Sequence, residues 1–253
     1  MKGKSIFGNP RVLAHRMLAT GYPENTILSL KGAIAARVDW VEFDVKVLAD
    51  GEFVSFHDGT VDRTTDGSGD ITKMTFKEAR ELDAGKGYGF GFQHVPTVEE
   101  ILVEMANASY PIRAEMHIHN LWEPEDLVPL LENYHLRDRC YFNLNAAIIA
   151  EHMRDDANDN TSLVSLNVQA DSPELKDICN RLDIAYLCIP PRVINPDFVD
   201  RIHDYRDDDP VFVHCYPVQT EPGWQDMIDA GVDVIQTDYP EALIEYLTEG
   251  GLR

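Results

Sequence analysis

Eight short, apolar, β-rich runs recur along the chain, at 11–15, 40–45, 112–116, 140–144, 163–168, 185–189, 211–215 and 232–236. Between most of them lie roughly 12 to 20 residues whose apolar positions repeat with the helical period. The windows 26–36, 98–105, 126–134 and 196–205 are the clearest, the first of them following a cap candidate at Asn25. Strand and helix alternating eight times predict an α/β fold, the (β/α)8 TIM-type barrel, rather than a sandwich. A chain of 253 residues with 44% hydrophobic content has enough length and apolar content to fill one such barrel.

The rhythm breaks once. Between the second and third of these runs about 65 residues intervene instead of about 20, too many for a structureless loop in a compact domain. The stretch holds a second short strand at 53–56, a polar segment at 58–70, a helical piece at 76–82 and a glycine-rich run at 85–91. We therefore expect one domain spanning 1–253 with a small insertion after the second strand, a subdomain at about 52–95. The glycine run has no strand before it, no helix after it and no Gly-Lys-Ser/Thr, so it reads as a flexible turn rather than a nucleotide loop.

Against 22 Lys and Arg stand 44 Asp and Glu, a formal charge of −22. A polyanion is repelled by nucleic-acid backbones and anionic membrane surfaces, so neither is an expected partner. The acidity is spread along the chain, as either a strongly solvated surface or an adaptation to high salt, where counterions screen self-repulsion. The first ten residues lack the apolar stretch and cleavage site of a secretory signal, and no run approaches the roughly 18 apolar residues of a membrane span. A cytoplasmic location is the expectation. Cys140, Cys179, Cys188 and Cys215 show neither a Cys-x-x-Cys nor a zinc rhythm and are expected to be reduced, buried thiols.

In a barrel of this kind functional groups gather at the C-terminal ends of the strands. The first run ends in Ala14-His15-Arg16, the second carries Glu42-Phe43-Asp44, the short strand of the insertion leads into His57-Asp58, and the third run continues Arg113-Ala114-Glu115-Met116-His117-Ile118-His119. Period-two alternation puts Glu42 with Asp44 on one face, and Arg113, Glu115, His117 and His119 on another. Glu42, Asp44 and Glu115 facing inward would confine three negative charges, which requires protonation, pairing with Arg16 or Arg113, or a bound cation. If a cation, oxygen-only ligands favour Mg²⁺ or Ca²⁺. His15 and His57, at separate strand ends beside charged residues, suit an acid and base pair near neutral pH.

These residues resemble the glycerophosphodiester phosphodiesterase family. The matching blocks are Ala14-His15-Arg16 with Tyr22-Pro23-Glu24-Asn25-Thr26, Val41-Glu42-Phe43-Asp44-Val45, Phe56-His57-Asp58 with Val61-Asp62-Arg63-Thr64-Thr65, Val95-Pro96-Thr97-Val98-Glu99-Glu100-Ile101-Leu102, Glu115, and Gly231-Val232-Asp233-Val234-Ile235-Gln236-Thr237-Asp238-Tyr239-Pro240. They occur in the family's order over nearly the whole chain. The resemblance implies the same barrel with its insertion, and metal-dependent hydrolysis of a phosphodiester to a phosphomonoester and an alcohol. It also implies His15 and His57 as acid and base, Arg16 as a phosphate contact, and Glu42, Asp44 and Glu115 as ligands of one divalent cation, Mg²⁺ or Ca²⁺.

Three departures bear on the substrate. The family's His-Arg-Gly is His15-Arg16-Met17, its Glu-x-Lys is Glu115-Met116-His117, and its Trp-Thr-Val-Asn-like strand end is His214-Cys215-Tyr216-Pro217. Met17 and His117 are expected where the phosphate and its substituents lie, with His117 as a substrate contact, a further metal ligand or a proton-transfer group. Arg192, a second cation that would offset the missing lysine, is the first choice among further substrate contacts, ahead of His119, Asn120, Asn143, Asn145, Gln169 and Tyr216. Trp122 and Trp224 are expected to pack. The substrate is then a small phosphodiester, either glycerophosphodiester-like or a sugar or other non-glycerol diester, or one that closes to a cyclic phosphate by intramolecular elimination. A non-catalytic binder of a phosphorylated ligand fits less well, because a binder has no need of paired acid and base groups. The oligomeric state is not readable from the chain.

Overall fold

The computed structural model describes residues 4–118, 123–156, 159, 161–206 and 209–253. Among the described residues nine strands form, β1 (Arg11–Ala14), β2 (Trp40–Val47), β3 (Phe53–Ser55), β4 (Arg113–Ile118), β5 (Cys140–Leu144), β6 (Leu163–Asn167), β7 (Tyr186–Ile189), β8 (Phe212–Cys215) and β9 (Val234–Thr237). Eight are parallel and each pairs with its neighbour in sequence, leaving out β3. β1 pairs with both β2 and β9 and closes the barrel. β3 lies antiparallel on the far end of β2, with Val45 opposite Ser55.

Register decides which side chains share the interior. Across β2 and β4, Glu42 stands opposite Glu115 and Asp44 opposite His117, and across β4 and β5, His117 stands opposite Asn143. Adjacent strands in register place these polar groups in successive layers toward the C-terminal mouth. The layer below is aromatic. Trp40, Tyr141, Tyr186, Phe212 and Phe7 stack or meet edge to face, with centroids 4.6 Å apart for Tyr141 and Tyr186 and 4.8 Å for Phe7 and Phe212. Each such pair adds about 0.5–1.5 kcal/mol beyond burial, so the N-terminal end is a plug. A hollow of about 1180 Å³ outside it is lined by Arg11, Arg37, Arg113, Arg137 and Arg253. It sits at the end of the barrel associated with stability rather than chemistry.

Several helices start where the sequence supplies a side-chain cap. α1 (Ile27–Ala35) is capped by Thr26, whose hydroxyl accepts from the Ser29 N–H, and not by Asn25. Asn25 instead adopts φ 52° and turns its amide into the barrel mouth. α2 (Phe76–Ala79) opens on a Thr75–Glu78 capping box and α3 (Val98–Ala106) on a Thr97–Glu100 box. α4 (Glu123–Asn133), α5 (Ala147–Glu151), α6 (Leu175–Arg181) and α7 (Pro196–His203) follow their strands in turn. α8 (Glu221–Ala230) stops at Gly231, whose φ of 85° a side chain would resist, and α9 (Pro240–Glu249) packs back on β1 and β9.

The main core fills the space between strands and helices, and Leu48, Val54, Phe56, Val61, Ile71, Ala79, Leu82, Ala84 and Val95 form a separate small core under the segment after β2. Beside it, Tyr22 stacks on the exposed Phe90 of the glycine-rich turn at 4.9 Å. All four cysteines are buried and unbridged. No helix among the described residues is long and apolar enough to cross a membrane.

Candidate active site

The chain leaves β1 through an abrupt turn in which Arg16 and Met17 both take left-handed backbone angles, φ 51° and 57°. This turn aims the Arg16 main-chain N–H at Glu42, 2.7 Å from Oε2. Met17 stands where the family has glycine, and the angle explains that preference, since an L side chain here costs about 1–2 kcal/mol. The Met17 side chain is fully buried in the main core rather than over the phosphate, contrary to expectation. Its burial offsets the strain.

Both histidines have an aspartate behind them. His15 Nδ1 lies 2.7 Å from Asp238 Oδ1, and Gln219 holds that carboxylate by donating to Oδ2 at 2.7 Å and accepting from the Asp238 N–H at 2.8 Å. His57, at the exposed rim, places Nδ1 2.6 Å from Asp58 Oδ1. A carboxylate only accepts, so Nδ1–H donates and Nε2 is the nitrogen left to exchange a proton. Arg63 bridges Asp58 and Glu24, and Arg16 donates to Glu24 at 2.9 Å, so one chain of ion pairs runs from Arg16 to His57. The hydrogen bond from Arg63 holds the Asp58 carboxyl well below the usual carboxylate range. Burial pushes Glu24 up, but Arg63 and Arg16 outweigh it and lower its pKa.

Glu42 and Asp44 are buried side by side on β2. Burial first, then the charges of Asp44 and Glu115, push Glu42 well above its ordinary range. Of the two arginines that would neutralise it, Arg16 is spent on Glu24, and Arg113 lies at the opposite end of β4 over the Trp40 ring. Among the described residues, the Arg16 main-chain N–H is the one hydrogen bond Glu42 receives. Asp44 accepts from the Asn25 amide at 3.2 Å, and Asn25 in turn accepts from Ser55 at 2.9 Å. Two adjacent buried carboxylates, with the buried Glu115 opposite Glu42 on the neighbouring strand, fit a divalent cation.

Glu115 is also buried, next to Glu42, but its carboxylate is turned toward Tyr141, Asn143 and His214. Burial alone would raise its pKa, and His214 with the Tyr141 and Asn143 donors brings it below the ordinary value. His214 Nδ1 is 2.8 Å from Glu115 Oε2 without the alignment of a hydrogen bond. His117 points Nδ1 at Asp44 Oδ1, 3.4 Å away, while its Nε2 meets Asn145 Oδ1 at 2.9 Å. Burial opposes its charged form, but Asp44 and Asn145 outweigh that and raise its pKa. Arg192 donates to the main-chain oxygen of Gln169 at 3.1 Å, and Gln169 donates to the Tyr216 hydroxyl at 2.6 Å, so these three share the rim beyond β6, β7 and β8.

The structure thus gathers Glu42, Asp44 and His117 into one potential ligand set, their donor atoms within 4.8 Å of one another, and Glu115 with Cys188 and His214 into another. His119, Asn120 and Trp122 lie outside the described residues. Trp224 is buried, its indole N–H donating to the Val218 carbonyl at 2.7 Å. Reasoning from individual strand ends did not single out Asp238, Asp58, Glu24 or Arg63 as functional. All four stand inside the motif blocks, and an acid next to or downstream of a candidate histidine is the signal that would have found Asp238, Asp58 and Glu24.

The glycerophosphoryl diester phosphodiesterase family model matches residues 15–242. The chain belongs to this family. A glycerophosphodiester phosphodiesterase from Caldanaerobacter subterraneus subsp. tengcongensis is 30% identical over 95% of this chain and 98% of that protein. One from Bacillus subtilis is 27% identical over 90% of this chain and 83% of that protein. Among solved structures, a phosphodiesterase from Oleispira antarctica, in complex with the product sn-glycerol-3-phosphate, superposes with a TM-score of 0.81 at 26% identity, covering 95% of this chain and 97% of that one.

Proposed function

We propose that the chain cleaves a glycerophosphodiester-like substrate to a phosphomonoester and an alcohol, with His15 and His57 as acid and base. As a member of its family it is a phosphoric diester hydrolase. The observation that carries the mechanism is the pair of His–Asp dyads, His15 with Asp238 and His57 with Asp58, at the mouth above two buried carboxylates.

In this reading one imidazole takes a proton from the attacking oxygen through Nε2 and the other protonates the leaving alkoxide. Asp238 and Asp58 fix the tautomer and stabilise the imidazolium that forms. Arg16, its side chain anchored by Glu24 and its own turn, faces the phosphate as a charge-assisted donor. Arg192, with Gln169 and Tyr216, contacts the substituent. Glu42 and Asp44, with Glu115 on the neighbouring strand, hold one divalent cation, which when bound polarises a phosphate oxygen and offsets developing charge. Oxygen ligands alone would suit Mg²⁺ or Ca²⁺. The unbridged, buried cysteines support a cytoplasmic setting.

The alternative of a sugar or other non-glycerol diester draws on His117, which replaces a permanently charged lysine. Phosphorus NMR of products from a panel of glycerophosphodiesters and sugar phosphodiesters, with and without chelator, tests both. Phosphomonoester from a glycerol diester, lost on chelation, is the expected result. Release from sugar diesters alone would transfer the assignment to the alternative, and cleavage untouched by chelation would remove the metal.

A further inference from the structure

We propose that His117 is a nitrogen ligand of the divalent ion at Glu42 and Asp44, so that the site selects a first-row transition ion such as Mn²⁺, Co²⁺ or Zn²⁺ over Mg²⁺ and Ca²⁺. This rests on the reading that Glu42 and Asp44 hold a cation. The position matters because a lysine ammonium has no lone pair to offer a metal, whereas an imidazole has one.

Three observations converge. The first is register, which sets His117 directly opposite Asp44, with Nδ1 3.4 Å from Oδ1 and the nearest donor atoms of Glu42, Asp44 and His117 all within 4.8 Å of one another. The second is the other ring nitrogen. Nε2 lies 2.9 Å from Asn145 Oδ1, an oxygen that also accepts from Asn167 Nδ2 at 2.8 Å. An amide oxygen only accepts, so Nε2–H donates to Asn145, with Asn167 Nδ2 a further 3.4 Å neighbour of that nitrogen. Nδ1 faces Asp44 as a donor, and a cation held by the two carboxylates would displace that proton and take the nitrogen lone pair. A donated N–H behind a ring whose other nitrogen faces an anionic pocket is the usual support of a metal-bound histidine. The third is Glu115, whose carboxylate is directed to Tyr141, Asn143 and His214 rather than toward Asp44. His117 is therefore the donor best placed to join the two β2 carboxylates.

The consequence follows from ligand preference. Mg²⁺ and Ca²⁺ take oxygen almost exclusively, while first-row transition ions accept mixed nitrogen and oxygen ligands, with Mn²⁺ the weakest binder of that series. His117 as a protonated stand-in for lysine, contacting the phosphate, would leave ion preference unchanged.

The test uses the full chain loaded with Mn²⁺ and needs no turnover. Pulsed electron paramagnetic resonance should show coupling to a directly bound imidazole nitrogen, lost in His117→Gln and in His117→Lys, the second variant restoring the family residue in case the first folds poorly. Calorimetric titration should show Mn²⁺ affinity falling by at least about tenfold in both variants, with Ca²⁺ affinity changed by less than about threefold. No nitrogen coupling in the unsubstituted protein, coupling that persists in the variants, or equal losses for Mn²⁺ and Ca²⁺ would each overturn the assignment. Metal binding as described without diester cleavage would leave the ligand assignment standing and remove the hydrolase reading. Loss of Mn²⁺ binding in Asp44→Asn, with His117 variants unaffected, would do the reverse.

Discussion

Single residues in this chain carry conflicts that only the folded surroundings resolve. Met17 occupies a left-handed position that favours glycine, and does so by inserting its side chain into the core beneath α1. Replacing it by glycine removes about 1–2 kcal/mol of backbone strain. It also empties a methionine-sized space whose loss costs about 2–5 kcal/mol. The balance predicts that Met17→Gly lowers the melting temperature by a few degrees while leaving diester specificity unchanged, as calorimetry and a substrate panel would show. A stabilised variant, or one with a changed substrate ranking, would contradict the core placement. Met17 and Asn25 both misled reasoning from residue type alone. Their roles depend on positive φ values, which neither methionine nor asparagine announces in a sequence.

The elements were readable because strand and helix periods are short-range. The eight barrel strands fall where apolar β-rich runs end in polar residues, and Thr97–Glu100 marks the start of α3. Contacts between elements were not readable. The meeting of His214 on β8 with Glu115 on β4 needs barrel closure, and the course of ion pairs from Arg16 to Asp58 needs the segment after β3 to fold over the β1 turn. That chain of charges has a pH signature. Asp58 and Glu24 both titrate lower in the folded chain than in the unfolded one, so their stabilisation is complete above the unfolded carboxyl range and is lost as pH falls through it. On acidification from about pH 5 to about pH 3, Asp58→Asn should therefore lose less thermal stability than the unsubstituted chain. Equal losses would show that the network contributes nothing to folding, as is common for exposed pairs.

At the scale of the whole molecule, the formal charge of −22 divides into parts with different meanings. Glu42, Asp44 and Glu115 are interior and belong to the site, whereas most of the excess is surface and leaves the question of high-salt adaptation with the solvent. Arginines gather at the N-terminal hollow, whereas at the mouth Arg16 and Arg63 are balanced by Glu24 and Asp58. In the proposed reading, an anionic diester approaching a strongly acidic protein would depend on the cation held by Glu42 and Asp44 for its positive charge. The proposed proton transfers fall to His15 and His57 at the mouth. The direct measurement is the turnover number for phosphomonoester release from a glycerophosphodiester by metal-loaded protein and by His15→Ala and His57→Ala. The predicted result is a fall of about 10²- to 10⁴-fold in kcat for each variant with folding and metal content unchanged. Retention of full turnover by either variant would contradict the assignment of the two histidines as acid and base.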